Sequence, residues 1–475
     1  MALTYYFHDY ETFGADPRRD RPAQFAGIRT DADFNVVAEP TILYCRPPTD
    51  YLPDPEACLI TGITPQLALE QGVREAEFAA AIHREMSQPQ TCALGYNSIR
   101  FDDEFTRHLL YRNLYDPYER EWQGGNSRWD LIDLTRLVYA LRPEGIEWPR
   151  QEDGRVSFRL ERLTAANGLA HEHAHDALSD VYATIGLARL LKEKKPRLFD
   201  FVCANRDKRA ARELLALGAW KPLLHVSEKY PASRGCLAMV VALAPHPENG
   251  NGVLVYDLGV DPTPLIELDA GEIRRRLFTP VAELGEGAAR IPLKTVHVNK
   301  CPVLAPLGTL KAEDAERWQI DLAVCMKHLE QLKKAQALTP KLHDVFVRDE
   351  APPADPELAL YSGFLGDRDR RELIRLRNLP PDKLAGQSPD FDDPRLPELF
   401  FRYRARNWPE TLSAGEKDRW EKFRRLRLMG SSFGGVTLDE YRRKLKALRA
   451  AWSGDVEKTA ILEALERYPE TLQFL

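Results

Sequence analysis

Aromatic and apolar residues crowd the segment LTYYFHDYETF, with Tyr5, Phe7 and Phe13 around its acids, and this β-prone composition predicts a strand over 3–13. Further strands are predicted over 22–30, 34–45 and 91–96, and helices over 74–86, 102–114, 129–141, 158–167 and 176–194. In the last helix Leu178, Val181, Ile185, Leu187, Leu190 and Leu191 form an apolar stripe to bury against a sheet. Three strands followed by strand–helix alternation give a mixed sheet flanked by helices, an α/β arrangement. The charged run KEKKPRLFD closes this region near residue 195. From 220 to 305 short β runs take over, and Asn249-Gly250 and Asn251-Gly252 between two of them are hairpin signals. A helix is expected at about 312–335, and from 356 onward the chain reads as helical and rich in Arg. The expected domains are 1–195, 196–350 and 351–475.

The first predicted strand carries Asp9 and Glu11 two residues apart, and residues so spaced share one face. Two carboxylates then stand side by side, roughly 7 Å apart. Hard divalent cations such as Mg²⁺ or Mn²⁺, whose preferred ligands are carboxylate oxygens and water, remove that repulsion. Two more patterns follow in order: Asp102 in YNSIRFDDE, then His175 and Asp180 in HDALSD. The helix stripe aims Asp180 at the strand of Asp9 and Glu11, and His175 precedes that helix on a loop. Each pattern alone has a plain reading: a solvated strand edge, an acid complementing a helix N-terminus, a surface histidine. The spacing of His171, His173 and His175 suggests zinc, but no cysteine lies near and loop-like residues bound the run. The ordered combination speaks for a metal site directed at a phosphate.

At 475 residues the chain is too long for one core. Its seven cysteines are scattered without a Cys-x-x-Cys pair, which reads as reduced, intracellular thiol. No signal peptide and no membrane span are expected, so the protein is expected to be soluble and cytoplasmic. A net charge of −6 looks wrong for a nucleic-acid binder, yet residues 401–450 hold 14 Lys or Arg against 6 Asp or Glu. That excess is either a solvated helical face or one basic wall of a groove whose other wall is acidic.

The combination of acids and histidine resembles the DEDDh exonucleases, in which Asp-x-Glu on a strand, a second Asp opening a helix and His-x4-Asp complete the set. The segments HDYETFG, DRPAQFAGIRTD, LITGITPQ, GYNSIRFDDE, YALRPEGI, HDALSDVYATI, HVNKCPVLA and YRARNWP together resemble the bacterial exonuclease I family. The resemblance implies a ribonuclease H-like mixed-sheet exonuclease domain, a β-rich SH3-like domain and an all-α C-terminal domain. It implies processive 3′-to-5′ hydrolysis of single-stranded DNA with two Mg²⁺ ions, for which Mn²⁺ substitutes. Asp9, Glu11 and Asp180 would hold metal, Asp102 would assist, and His175 would be the general base.

Between Asp102 and Arg142 cations and aromatics interleave, among them Tyr111, Arg112, Tyr115 and Trp129, a pattern suited to backbone charge and base stacking or to packing a helix pair. By resemblance Arg107, Tyr118, Trp122, Arg136 and Arg159 are the expected DNA contacts, with Lys208, Asn299 and Lys300 from the middle domain. The resemblance also implies docking of the acidic, Phe-ended tail of single-stranded DNA-binding protein, with Arg142 for its carboxylate and Phe201 as a pocket wall. Pairing of Arg142 with Glu144 or Glu147 is the alternative. A monomer is expected. An RNA-trimming nuclease and a catalytically inactive DNA-binding scaffold are the competing functions; a dinucleotide-binding oxidoreductase lacks its G-x-G-x-x-G after the first strand.

Overall fold

In the computed structural model the aromatic N-terminal segment forms strand β1 (Thr4–Thr12), buried along nearly its whole length. It pairs antiparallel with β2 (Pro22–Thr30) in a register that sets Asp9 opposite Ala26 and Glu11 opposite Gln24. On its other side β1 runs parallel to β4 (Thr91–Gly95), and β3 (Thr41–Tyr44) lies outside β2. The described residues are 2–169, 176–285, 287–335, 338–347, 355–430 and 435–472. They fall into two units, Met1–Ser127 with His171–Ile185 and Ala351–Leu475, and Arg128–Ala170 with Gly186–Glu350.

The strand expected over 34–45 shrinks to its last residues. Phe34 turns the chain at φ 65°, and the Asp31 carboxylate accepts from the N–H groups of Asp33 and Asn35, so this stretch is a side-chain-capped turn. Two short helices that the hydrophobic pattern does not reveal follow, α1 (Pro55–Thr61) and α2 (Pro65–Gln71). Each starts with a capping side chain, Asp54 or Thr64, and proline at the first helical position. Helix α3 (Glu75–Met86) packs Phe78, Ala79, Ile82 and Met86 against Tyr6, Tyr10 and Phe25 of the sheet. The chain then passes through β4 into α4 (Asp102–Arg112).

The C-terminal helices of the first unit share its core. Tyr441, Leu445, Leu462, Leu465 and Tyr468 cluster with Phe13, Ala23, Tyr51 and Cys58. Of the fourteen cations in 401–450, Arg402, Arg404, Arg406, Arg424 and Arg427 have side chains no more than 8% exposed, each ion-paired with an acid. Neither a solvated face nor a groove wall describes these five.

The second unit holds an antiparallel sheet in the order Leu304–Pro306, Leu223–Val226, Leu237–Pro245, Gly252–Asp257 and Leu293–His297. The expected hairpin is present: the N–H of Gly252 donates to the Asn249 carbonyl, and the Asn249 side chain accepts from the N–H of Asn251. The single helix expected over 312–335 is two, Ala312–Arg317 and Leu322–Lys334, because Gln319 turns at φ 55° and Asp321 caps the second. Among the described residues no disulfide links any of the seven cysteines. Among the described residues no helix is long and apolar enough to cross a membrane.

Candidate metal centre

Strand β1 presents Asp9 and Glu11 on one face, as the period of two requires. The next carboxylate arrives through a tight turn after β4. A Cβ on Gly95 would lie 2.6 Å from Ser98 Cβ and 3.1 Å from the His8 carbonyl, and Asn97 takes a left-handed φ of 63° that a short polar side chain tolerates. The turn delivers Asp102 to the start of α4, where its Oδ1 accepts the N–H of Tyr10 at 3.1 Å. Thr106 Oγ1 donates to the Asp102 carbonyl and lies 3.0 Å from the Tyr10 hydroxyl, tying the first turn of α4 to β1. Asp180 comes from the first turn of the helix Ala177–Lys194. Val181, Ile185, Leu187 and Leu191 of the expected stripe are buried, while Leu178 and Leu190 are only partly so.

Asp9, Glu11 and Asp180 each offer one carboxylate oxygen, all within 4.8 Å of one another. At an effective dielectric near 20, unit charges about 5 Å apart repel by about 3 kcal/mol. The site reflects that strain. Burial drives the Asp9 carboxyl well above the usual carboxylate range, and Asp102, Glu11, Asp180 and Asp176 add to it. Glu11 is pushed up to about 9, by burial first and then by Asp180, Asp102 and Asp176. Clustered, half-buried or buried carboxylates with only hard oxygen donors fit divalent cations. His175, with the 171–175 run, lies outside the described residues.

Each unit accounts for its own share of the expected nucleic-acid contacts. Arg107 donates to both oxygens of Glu121 at 2.8 and 2.9 Å and to Glu104 at 3.3 Å, and stands over the Tyr118 ring at 5.3 Å. Its guanidinium is a buried clamp on an internal acid. Trp122 is 65% exposed. In the second unit Arg136 is buried against Asp133 and Glu228, Arg159 and Lys208 are exposed, and Lys300 is half-buried. The half-buried Asn299 accepts from Arg128 through its carbonyl. Arg142 pairs with Asp314 at 3.0 Å and the Thr309 carbonyl at 2.9 Å rather than with Glu144 or Glu147, the alternative to a role for it in docking a tail; Glu144 pairs with Lys195. Phe201 is half-buried in the helix Pro196–Ala204. Tyr111 and Trp129 are core residues, and Tyr115 lies under the Arg377 guanidinium at 3.8 Å.

Residues 6–188 match the exonuclease family, 206–348 the exonuclease I SH3-like domain and 354–472 the exonuclease I C-terminal domain. Exodeoxyribonuclease I of Escherichia coli K12 is 48% identical over 471 residues, covering 99% of this chain and 98% of that protein. The chain belongs to the exonuclease I family. Among solved structures, a moderately thermophilic exonuclease I from Methylocaldum szegediense is 58% identical with a TM-score of 0.96, over 99% of this chain and 100% of that one. The zinc-ion-bound form of an E. coli exonuclease I–single-stranded DNA complex is 47% identical with a TM-score of 0.95, over the same shares. The fold expected for exonuclease I is thus present throughout: mixed-sheet nuclease, SH3-like and helical C-terminal parts.

Two residues near the carboxylates escape the sequence reading. Asp176 follows His175 in HDALSD and acts electrostatically on both Asp9 and Glu11. Gln24, in DRPAQFAGIRTD, faces Glu11 across the β1–β2 pair and is buried. The only signal for Gln24 was a polar amide amid an otherwise apolar stretch of strand.

Proposed function

We propose that this exonuclease I degrades single-stranded DNA processively from its 3′ end, releasing 5′-mononucleotides, in DNA repair and recombination. The observation that carries the reading is the convergence of Asp9, Glu11 and Asp180 within 4.8 Å. The cation is Mg²⁺, two per site, with Mn²⁺ as a substitute; Asp9, Glu11 and Asp180 would hold it, with Asp102 assisting directly or through water. Bound divalent ions supply charge stabilisation at the phosphate and a more acidic attacking water. His175 would take a proton from the attacking water, a role an imidazole can fill near neutral pH. The 3′ oxygen of the penultimate nucleotide leaves.

Trp122, with most of its ring in solvent, suits base stacking, and the exposed Arg159 and Lys208 suit phosphate. Tyr118, Asn299 and Lys300 are kept as DNA contacts, whereas Arg107 and Arg136 would act by holding neighbouring segments in place. A second partner is the acidic tail of single-stranded DNA-binding protein, at Arg142, whose side chain is 25% exposed, with Phe201 as a wall. The protein acts as a monomer in the cytoplasm, with functional divisions at 1–195, 196–350 and 351–475. Incubation with end-labelled single-stranded DNA, duplex DNA and RNA, with Mg²⁺ or EDTA, tests the reading: cation-dependent loss of single-stranded DNA alone is expected, and preferred cleavage of RNA would replace it with the RNA-trimming function.

A further inference from the structure

Gln24 stands beside the carboxylate cluster without belonging to it. Its β2 position is directly opposite Glu11, and cross-strand partners lie on the same face of the sheet. Its side chain is buried and both ends of its amide are engaged. Nε2 donates to Asp176 Oδ1 at 3.3 Å, and Oε1 accepts the N–H of Ala177 at 3.3 Å. The other oxygen of Asp176 accepts the N–H of Ser179 at 3.2 Å, and the Asp176 carbonyl accepts the N–H of Asp180 at 3.0 Å. One amide therefore fastens the first residues of the helix that carries Asp180 to the strand beside Glu11.

We propose that Gln24, through Asp176 and Ala177, is a positioning residue that sets the distance between Asp180 and Glu11 and so tunes cation affinity. The inference rests on the proposed role of Asp9, Glu11 and Asp180 as cation ligands. A carboxamide meets both demands from two separate atoms, its Nε2 donating to a carboxylate while its Oε1 accepts from a backbone N–H. Glutamate at position 24 could accept but not donate, and would face Asp176 with like charge. Methionine matches the length and offers neither bond. Groups that orient metal ligands typically contribute about 10- to 100-fold in metal affinity.

The test is Mn²⁺ binding by isothermal titration calorimetry to the full chain without DNA, for wild type, Gln24→Met and Gln24→Glu, with thermal melts of the cation-free proteins. The expected result is at least ~10-fold weaker Mn²⁺ binding in Gln24→Met on folded protein, with a smaller decrease in Gln24→Glu, whose added charge attracts the cation. A structural role alone would lower the melting temperature of Gln24→Met and leave its Mn²⁺ affinity at the wild-type value, which would overturn the proposal. If either variant fails to fold, Gln24→Asn, which keeps the amide and the charge but shortens its reach by one methylene, is judged by the same criterion. Absence of Mn²⁺ binding to wild type would instead remove the metal reading beneath the proposal.

Discussion

Asp50 and Arg406 form a buried two-pronged ion pair: Nε and Nη2 donate to the two carboxylate oxygens at 3.1 and 2.8 Å across 356 residues of sequence. Glu357 extends the pair into a network with Arg21, Arg402, Arg406 and Arg427, within the same unit as the carboxylate cluster. Such a network adds little net stability when intact, but removal of one member strands a buried charge. Asp50→Ala or Glu357→Ala should therefore cost about 3 to 5 kcal/mol in urea unfolding of the cation-free protein. A loss below ~1 kcal/mol would mean that water reaches the stranded arginines.

The same groups fix the acid response. The surrounding guanidiniums hold Asp50 and Glu357 well below the usual carboxylate range despite burial, so their stabilisation is present above the unfolded pKa, near 4, and is lost as pH falls further. His8 and His108 act earlier. Burial lowers them to about 4 and about 3, so the unfolded chain takes up protons below about 6.5 that the fold refuses. In the cation-free protein this loss is offset between pH 6.5 and 4.5 by the opposite contribution of Glu11, so melting temperature should fall steeply only below pH 4, where Asp50, Glu357 and both histidines act in the same direction. A melting temperature that holds constant from pH 5 down to pH 3 would contradict the buried ion pairs assigned to Asp50 and Glu357.

Glu11 has the opposite sign. Its raised pKa, about 9, makes the cation-free fold progressively less favourable as pH rises from the unfolded value near 4.5 through 9. A bound cation relieves this and expels the protons. The stabilisation given by Mn²⁺ should thus grow between pH 6 and 9, and binding heats should vary with buffer ionisation enthalpy. Buffer-independent heats would show that the carboxylates are already ionised.

His175→Ala should lower turnover by roughly 10² to 10⁴, the range for loss of a general base, and flatten the acid limb of the pH–rate profile. Single-strand affinity should hardly change. An unaltered acid limb would move the base role to another group.

Much of the site was legible because its determinants are local. Alternation on β1 aligned Asp9 with Glu11, the left-handed Asn97 belongs to the turn that opens α4 at Asp102, and helical spacing aimed Asp180. What escaped depends on neighbours distant in sequence. Arg402, Arg406 and Arg427 read as surface cations because Asp50 and Glu357 cannot be seen from their own helices. The same holds for Gln24, 152 residues from Asp176. Helices α1 and α2 were missed for another reason: each is seven residues long, too short for hydrophobic periodicity, and only the Asp54-Pro55 and Thr64-Pro65 starts announce them. The strand predicted over 34–45 failed at Phe34, where a β-prone residue yields to the Asp31 turn.

Asp9, Glu11 and Asp180, as one cation site, would drive hydrolysis from the 3′ end. The most direct measurement follows 5′-end-labelled single-stranded DNA on a gel, with wild type, Asp9→Ala, Glu11→Ala and Asp180→Ala, in Mg²⁺ and in EDTA, beside binding of the same DNA. Wild type in Mg²⁺ should yield a ladder shortening from the 3′ end, and EDTA or any one of the three substitutions should abolish it while binding largely persists. Wild-type turnover by Asp9→Ala, or cleavage in EDTA, would contradict the account.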